Sequence, residues 1–256
     1  RRLLTASPAV LRALTDKCLL RSVRREAVGK EGDAVRFRLP ELTPAQQRCF
    51  ERIGELFAGK DVVLLHGVTG SGKTEIYIRL IAEELRAGRN VLYMLPEIAL
   101  TAQLIGRMRD HFGDAVIVYH SRLTDNRRAD VYRRLIGGSG GRLVVGVRSS
   151  VLLPLPLLSL VIVDEEHENS FKQADSAPRY HGRDTAVMLA ALCGAKTLLG
   201  SATPSVESYF NAATGKYGLV TLAERYGGAV LPRVIVSDTL RAAKRGEKRS
   251  HFNKVL

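Results

Sequence analysis

The chain has 256 residues, 45% of them hydrophobic and 25% charged, which is the usual composition of a globular protein. Its formal net charge of +13 lies mostly at the two ends, because residues 1–40 and 232–256 are strongly basic and the stretch between them is almost neutral. No apolar run is long enough to cross a membrane and no signal-peptide hydrophobic region begins the chain, so we expect a cytoplasmic protein, and the basic ends favour nucleic acid as a partner.

Residues 1–38 predict a small unit of their own. Ser7 as N-cap and Pro8 at the first helical position favour a short helix over residues 7–17. A basic strand over residues 18–26 and a turn follow this helix. A helix followed by a basic hairpin is typical of the end of a winged-helix DNA-binding module. A small αβ segment without that function is the equal alternative.

Residues 39–231 predict one α/β lobe. Continuous runs of Val, Leu and Ile indicate strands that are buried on both faces, and such strands form a parallel sheet covered by helices. The predicted strands are residues 62–65, 91–95, 115–119, 143–147, 160–163 and 197–199. The predicted amphipathic helices between them are residues 75–87, 100–112 and 125–136. This alternation predicts a three-layer architecture in which helices flank the sheet.

Residues 67–74, with the sequence GVTGSGKT, match the phosphate-binding pattern GxxxxGK[ST] between a predicted strand and a predicted helix. The glycines let the backbone wrap closely, so that its N–H groups point at phosphate oxygens. Lys73 would reach the β- and γ-phosphates of ATP, and Thr74 would hold Mg²⁺ through its hydroxyl. The predicted nucleotide contacts are Gln46, Gly67, Val68, Thr69, Gly70, Ser71, Gly72, Lys73, Thr74 and Glu75.

Residues 164–167, with the sequence DEEH, follow another predicted buried strand. The carboxyl ends of neighbouring parallel strands open onto one crevice, so Asp164 is expected to meet the magnesium ion held by Thr74. Glu165 is placed to polarise the attacking water. Glu166 has no assigned chemistry, and solvent exposure is the simplest expectation for it. An acidic helix N-terminus is the structural alternative for the run.

A segment rich in aromatic and basic residues comes directly after the acidic run. Aromatic faces interleaved with cations suit the sequence-tolerant binding of single strands, and a partly packed surface loop is the alternative. The predicted DNA-binding or coupling residues of this segment are Phe171, Lys172, Gln173, Arg179, Tyr180, His181 and Arg183. Thr101, Arg148 and Ser149 would contact a DNA backbone, with structural capping as their alternative. His167 would link the nucleotide site to Gln173 or Thr203, although a lone histidine is more often a packed residue.

The motifs GVTGSGKTE, DEEH and GSAT (residues 200–203) together resemble the superfamily-two helicases. The words LPEIALT (95–101), HS (120–121), GVRS (146–149), FKQ (171–173) and RYHGRD (179–184) narrow the resemblance to the PriA family of primosomal replication-restart helicases. This resemblance covers roughly residues 42–223. It implies a RecA-like lobe of a bacterial 3′-to-5′ DNA helicase that uses ATP and Mg²⁺. It also implies single-stranded and forked DNA as substrates, and primosome and single-strand-binding proteins as partners.

The resemblance implies roles for single residues as well. Ser201 and Thr203 would couple the nucleotide site to DNA, and residues 169–184 would sense single-stranded DNA. Gln46 would bind adenine through its amide. Thr43 and Gln46 also have the spacing of a capping box, and both roles are compatible because an amide carries donors and an acceptor.

A helicase motor needs a second lobe that donates an arginine finger, and residues 232–256 predict only a basic connection toward it. The three cysteines, Cys18, Cys49 and Cys193, form no CxxC pair, so we predict no zinc site here and expect zinc only in a missing C-terminal part. We therefore expect a monomeric fragment that hydrolyses ATP slowly or not at all. The alternatives are a P-loop NTPase that does not act on DNA, and a catalytically silent DNA-binding scaffold for primosome assembly.

Overall fold

The computed structural model describes residues 37–138, 141–174 and 177–225 in full, and the backbone of residues 248–249 and 252–253. The predicted winged-helix remnant, except for its last two residues, lies outside the described residues. Most of the predicted basic connection lies outside them as well. In that connection the strands β8 (Lys248–Arg249) and β9 (Phe252–Asn253) form a short antiparallel pair.

Helices and strands alternate along the fully described part of the chain. They are α1 Pro44–Phe57, β1 Val62–Gly67, α2 Lys73–Arg86, β2 Asn90–Met94, α3 Ala102–Phe112, β3 Val116–Tyr119, α4 Asp125–Ile136, β4 Leu143–Gly146, β5 Leu158–Asp164, α5 Gly182–Cys193, β6 Lys196–Ser201, α6 Val206–Ala213 and β7 Gly218–Leu222. Short 3-10 helices cover Gly113–Ala115, Arg148–Leu152 and Asn169–Phe171. All six predicted strands and all three predicted helices are present, with bounds that differ by a few residues at most.

Strands β1 to β7 form one sheet in the order β3-β4-β2-β5-β6-β1-β7, and every neighbouring pair is parallel. Strand β6 lies between β5 and β1. In register, Gly200 of β6 pairs with Asp164 of β5 on one side and with Leu65 of β1 on the other. The carboxyl ends of these three strands therefore meet at one edge of the sheet.

Strands β1 to β6 bury side chains on both faces of the sheet, as the continuous apolar runs predicted. In β1, Val63 and Leu65 face a core formed with α1, α2 and α3, whereas Val62 and Leu64 face a second core formed with α4, α5 and α6. The result is the predicted three-layer arrangement. None of the helices in the described ranges is long and apolar enough to span a membrane.

Strand β7 was not predicted. It lies at the edge of the sheet and pairs only with β1. Its residues alternate between buried and exposed, so Leu219 and Thr221 face outward while Val220 and Leu222 face the core. An edge strand of this kind lacks the continuous apolar run by which the central strands are recognised.

Candidate active site

The phosphate loop, residues 67–74, joins the end of β1 to the start of α2. Gly72 precedes the helix with φ 81° and ψ 39°, a left-handed conformation that favours glycine. A Cβ atom on Gly72 would lie 2.2 Å from Nε2 of Gln46, so close packing requires glycine here as well. The buried Lys73 donates a hydrogen bond from Nζ to the carbonyl of Gly67 at 2.9 Å. Its ammonium group is therefore held against the loop.

Gln46 supports the phosphate loop from α1. Its Oε1 accepts a hydrogen bond from the backbone N–H of Thr43 at 2.9 Å, and its own N–H donates to the Thr43 hydroxyl at 3.3 Å. This confirms the capping box. The Nε2 of Gln46 donates to the carbonyl of Ser71 at 3.0 Å, and the residue is only 1% exposed. The adenine contact stays a prediction.

The loop fits a phosphate group. The hydroxyl of Ser71 is buried and finds no hydrogen-bond partner in the described part of the chain, so a phosphate oxygen would supply one. A Cβ atom on Gly67 would lie 2.9 Å from Cγ of Lys73, which shows how closely the chain wraps here. An amine from Lys73, the hydroxyl of Thr74 and the carboxylate of Asp164 form a donor set that suits ATP with Mg²⁺.

Asp164, at the end of β5, is held by two tyrosines that the sequence analysis missed. The hydroxyl of Tyr77 donates to Oδ1 at 3.1 Å, and the hydroxyl of Tyr93 donates to Oδ2 at 3.2 Å. Burial and the nearby charge of Glu165 raise the pKa of Asp164 to about 6, against the opposing effect of Lys73 and of the two hydroxyls. Two tyrosines inside buried aliphatic segments were the available signal, because a buried hydroxyl needs a partner.

The residues after Asp164 make a tight turn toward β6. Glu165 has a positive φ of 47°, and its N–H donates to Oδ1 of Asp164 at 3.1 Å. His167 lies with Nδ1 2.8 Å from Oγ of Ser201 and Nε2 3.4 Å from Oγ1 of Thr203. The contact predicted between His167 and Thr203 is therefore present.

The expectation for Glu166 was wrong. Its side chain is fully buried rather than solvent-exposed. The carboxylate accepts hydrogen bonds from the guanidinium of Arg183 at 2.8 Å, from the N–H of Ser205 at 2.7 Å, and from the hydroxyls of Ser205 and Ser208 at 3.1 and 2.9 Å. A buried carboxylate needs several hydrogen-bond donors, and these four contacts supply them.

Two residues of the aromatic and basic segment do not take the predicted positions. Phe171 is 1% exposed and packs in the core formed with α4, α5 and α6, so its ring offers no face to a base. The side chain of Arg183 is 11% exposed, and its guanidinium binds Glu166, Asp184 and Ser205 instead of facing a phosphate. Composition alone did not distinguish these inward side chains from outward ones.

Arg148 is also engaged within the protein. Its Nη1 donates to the carbonyl of Ser170 at 3.0 Å and to that of Lys172 at 2.9 Å, and its guanidinium lies 6.0 Å from the centre of the Tyr180 ring. The arginine therefore holds the aromatic and basic segment in place. The DNA-backbone contact predicted for Arg148 stays a prediction.

The rest of the segment forms a short antiparallel turn. Lys172 pairs with His181, and the N–H of Gln173 donates to the carbonyl of Tyr180 at 2.9 Å. Lys172 and Arg179 are exposed, whereas Tyr180 and His181 are half-buried. Burial lowers the pKa of His181, although Asp184 opposes this effect. The exposed cations are thus available to a phosphate backbone.

Helix α3 is linked by an ion pair to the first turn of α2, directly after the phosphate loop. Thr101 caps the helix by accepting a hydrogen bond from the N–H of Leu104 at 3.2 Å, which is the structural alternative considered for it. Arg107 on the same helix pairs with Glu75, the residue after Thr74. Ser149 lies in the 3-10 helix after β4 and is half-buried.

Comparison with known proteins establishes the family. The model of the DEAD/DEAH box helicases matches residues 43–211. This chain belongs to the DEAD/DEAH box helicase family. It is homologous to the replication restart protein PriA, with 42% identity over 221 residues to the protein of Synechocystis sp., covering 85% of this chain and 26% of the relative. The protein of Bacillus subtilis is 39% identical over 252 residues, covering 96% of this chain and 31% of the relative.

The fold is also shared with a solved structure. The structure of RecG bound to a three-way DNA junction matches with a TM-score of 0.54 and 25% identity, covering 75% of this chain and 25% of that one. The predicted RecA-like helicase lobe is therefore confirmed. The chain spans about a quarter to a third of the curated relatives described above. The phosphate loop and the residues 164–167 both lie within the matched helicase domain.

Proposed function

We propose that this chain is the ATP-binding motor lobe of a replication-restart DNA helicase that moves 3′-to-5′ along single-stranded DNA at stalled forks. One observation carries the proposal: β1, β6 and β5 are neighbours, so the phosphate loop, the residues 201–203 and the residues 164–167 share one edge of the sheet. The similarity to PriA proteins supports the restart function, and the relatives are bacterial, which supports a cytoplasmic location.

Each residue of the site has a task in the proposed reaction. Bound ATP with Mg²⁺ supplies the phosphoryl group and the cation that offsets its charge. Lys73 and the loop N–H groups bind the phosphates, while Thr74 and Asp164 would hold the ion. Glu165 would orient the attacking water and accept its proton. A second lobe, which we place outside this chain, would add the arginine finger.

DNA would reach the same edge of the sheet through the aromatic and basic segment. Its exposed cations, Lys172 and Arg179, would contact phosphates, and the half-buried Tyr180 would offer the edge of a stacking face. His167 lies between the acidic residues 164–166 and Thr203. A movement of the acidic residues would therefore change the surroundings of Thr203, and a movement of Thr203 would change those of the acidic residues. Primosome and single-strand-binding proteins are the partners that the PriA similarity favours.

Nucleotide and DNA binding test the proposal directly. The chain should bind a fluorescent ATP analogue in the presence of Mg²⁺, and Lys73→Ala should weaken this binding at least about tenfold, which is the effect of losing one charge-assisted contact. The exposed Lys216 provides a matched control, because Lys216→Ala removes the same charge away from the site. Equal affinities of the Lys73→Ala variant and the parent would refute the nucleotide site.

The two alternatives give different outcomes. A P-loop NTPase that does not act on DNA would bind the analogue without any response to a deoxythymidine oligonucleotide. A catalytically silent scaffold would bind the oligonucleotide, but the full-length protein would show no ATP hydrolysis that single-stranded DNA stimulates. A motor lobe binds both ligands and belongs to a full-length protein whose ATP hydrolysis responds to DNA.

A further inference from the structure

Three segments of the chain meet at the buried carboxylate of Glu166. Arg183 reaches it from the first turn of α5, and Ser205 and Ser208 reach it from the start of α6. Arg183 also donates to the hydroxyl of Ser205 at 2.7 Å, so the three segments are cross-linked to each other. We refer to Glu166, Arg183 and Ser205 below as the buried junction.

Each segment at the buried junction leads directly to a part of the proposed motor. Arg183 lies in the first turn of α5, two residues after His181, which pairs with Lys172 of the aromatic and basic segment. Ser205 is the N-cap of α6 and follows Thr203, which contacts His167. Glu166 follows Glu165 immediately. The buried junction therefore joins the proposed DNA-facing segment to the residue that would orient water.

The turn at Glu165 adjoins this anchorage, because Glu165 directly precedes Glu166 in the chain. The φ of Glu165, 47°, lies in the left-handed region, which is unfavourable for a residue with a Cβ atom. Backbone hydrogen bonds hold the turn: the N–H of Glu165 donates to Asp164, the N–H of Glu166 donates to the carbonyl of Gly200 at 3.1 Å, and the N–H of Glu168 donates to the carbonyl of Glu165 at 2.9 Å. Because Glu165 and Glu166 share a peptide bond, a displacement of Glu166 would act directly on this turn.

The stability of the fold does not explain why an ion pair lies at this position. The side chains of Glu166 and Arg183 are 0% and 11% exposed, and a buried ion pair contributes little net stability compared with apolar residues of similar size. What such a pair provides is a fixed geometry, since the guanidinium and carboxylate match in only a few orientations.

We infer that Glu166 and Arg183 are positioning residues that transmit the binding of single-stranded DNA on the aromatic and basic segment to Glu165 and the nucleotide. The inference rests on the function proposed above. DNA that displaces residues 172–181 moves Arg183, and Arg183 moves the carboxylate of Glu166 together with the turn at Glu165.

The coupling between the two ligands is the quantity to measure. For the 256-residue chain, the Kd of a fluorescent ATP analogue with Mg²⁺ is determined with and without a saturating deoxythymidine oligonucleotide. In the parent, the ratio of the two Kd values should be at least about fivefold, within the usual range for coupled sites. In Arg183→Lys, which keeps the charge and loses the planar fork, the ratio should fall to within about twofold of one. The Kd of each ligand alone should change by less than about threefold.

Further variants make the result specific. Glu166→Gln should abolish the coupling in the same way, and the double variant Glu166→Gln/Arg183→Lys should be no worse than either single variant, because both changes break one link. Arg89→Lys alters an ion pair with Glu84 at the far end of α2 and should keep the parent's ratio. If Glu166→Gln fails to fold, the Kd ratio of Arg183→Lys alone tests the inference. This variant keeps a positive charge beside the buried Glu166 carboxylate and is therefore expected to fold.

The outcomes separate this inference from the proposed function. If Arg183→Lys and Glu166→Gln keep the parent's ratio, the buried junction is only structural and the inference is wrong, while the proposed function stands. If the parent binds both ligands with a ratio of one, the inference is again wrong and the nucleotide site is unaffected. If the parent binds neither ligand, the proposed function itself is refuted.

Discussion

Asp164 lies between two tyrosine hydroxyls, and Glu165 and Lys73 are the charged residues that most affect its pKa. Burial raises its pKa to about 6, above that of an aspartate in an unfolded chain. Between about pH 4 and pH 6 the folded state therefore holds a proton that the unfolded state has lost. Stability must fall as the pH rises through this window, and above pH 6 the ionised carboxylate destabilises the fold.

Asp164→Asn should accordingly stabilise the metal-free chain at pH 7.5. The amide removes the negative charge of a half-buried carboxylate, and a gain of roughly 1–2 kcal/mol in the free energy of unfolding is expected, below the full effect of the pKa shift because solvent screens a half-buried group. The gain should disappear near pH 4, where the parent is protonated as well. Urea denaturation in EDTA at both pH values measures this.

The control for this prediction is Asp130→Asn on α4, an exposed aspartate that pairs with Arg133 on the same helix. Its effect should stay within a few tenths of a kcal/mol at either pH. An Asp164→Asn variant that is less stable than the parent at pH 7.5 would show that the tyrosine hydroxyls and Lys73 outweigh burial.

Gly200 must be small because it lies against Tyr77, one of the two tyrosines that hold Asp164. A Cβ atom at this position would lie 1.8 Å from the hydroxyl oxygen of Tyr77. Gly200→Ala should therefore displace the buried Tyr77 ring and destabilise the chain by about 1–3 kcal/mol, the usual cost of overpacking. Thermal unfolding followed by circular dichroism measures the change.

Removing the hydroxyl tests the cause of that loss. Tyr77→Phe takes away the atom with which the new methyl group collides, so the double variant Gly200→Ala/Tyr77→Phe should lose less stability than the sum of the two single variants. Strict additivity of the two losses would place the strain of Gly200→Ala somewhere other than Tyr77.

At the level of elements, Arg148 fixes the path of the aromatic and basic segment. It binds the carbonyls of Ser170 and Lys172 from the 3-10 helix after β4. Arg148→Ala should leave the sheet intact and free the segment, so amide hydrogen exchange of residues 172–181 should accelerate about tenfold or more, the effect of losing about 1.4 kcal/mol of local protection. Mass spectrometry of peptic peptides resolves this change.

Arg133→Ala serves as the comparison, because it removes an arginine whose ion pair is with Asp130 of its own helix, α4. Its exchange pattern over residues 172–181 should match the parent. Unchanged exchange in Arg148→Ala would mean that the backbone pairing of Lys172 with His181 is sufficient to hold the segment.

The elements also show what the sequence could and could not predict. Strands β1 to β6, including the edge strand β3, carry apolar runs because both of their faces are covered, and this made them recognisable. The edge strand β7 alternates in exposure and was missed. The phosphate loop and the residues 164–167 were located correctly because each follows a predictable strand.

The partners of single side chains were harder to predict than the elements. Glu166 and Arg183 are 17 positions apart in the chain, and the packing of α5 against β5 brings them together. Phe171 likewise turns inward because the core formed with α4, α5 and α6 offers it a buried position. Such contacts depend on tertiary structure, and neither spacing nor residue type contains that information.

For the molecule as a whole, charge is distributed very unevenly along the sequence. Residues 1–40 contain ten Lys and Arg against four Asp and Glu, and residues 232–256 contain seven against two. If single-stranded DNA binds the chain, these ends add a sequence-independent attraction that depends on counterion release and is therefore weakened by salt.

The salt dependence of DNA binding should therefore separate the basic ends from the lobe. For about four contacted phosphates, a fourfold rise in salt should lower the affinity of the 256-residue chain for a deoxythymidine oligonucleotide roughly fiftyfold. A chain trimmed to residues 37–225 should show a clearly shallower slope in a plot of log affinity against log salt, with unchanged affinity for the ATP analogue. Equal slopes for the two chains would instead assign the phosphate contacts to the lobe surface, where Lys172 and Arg179 are exposed.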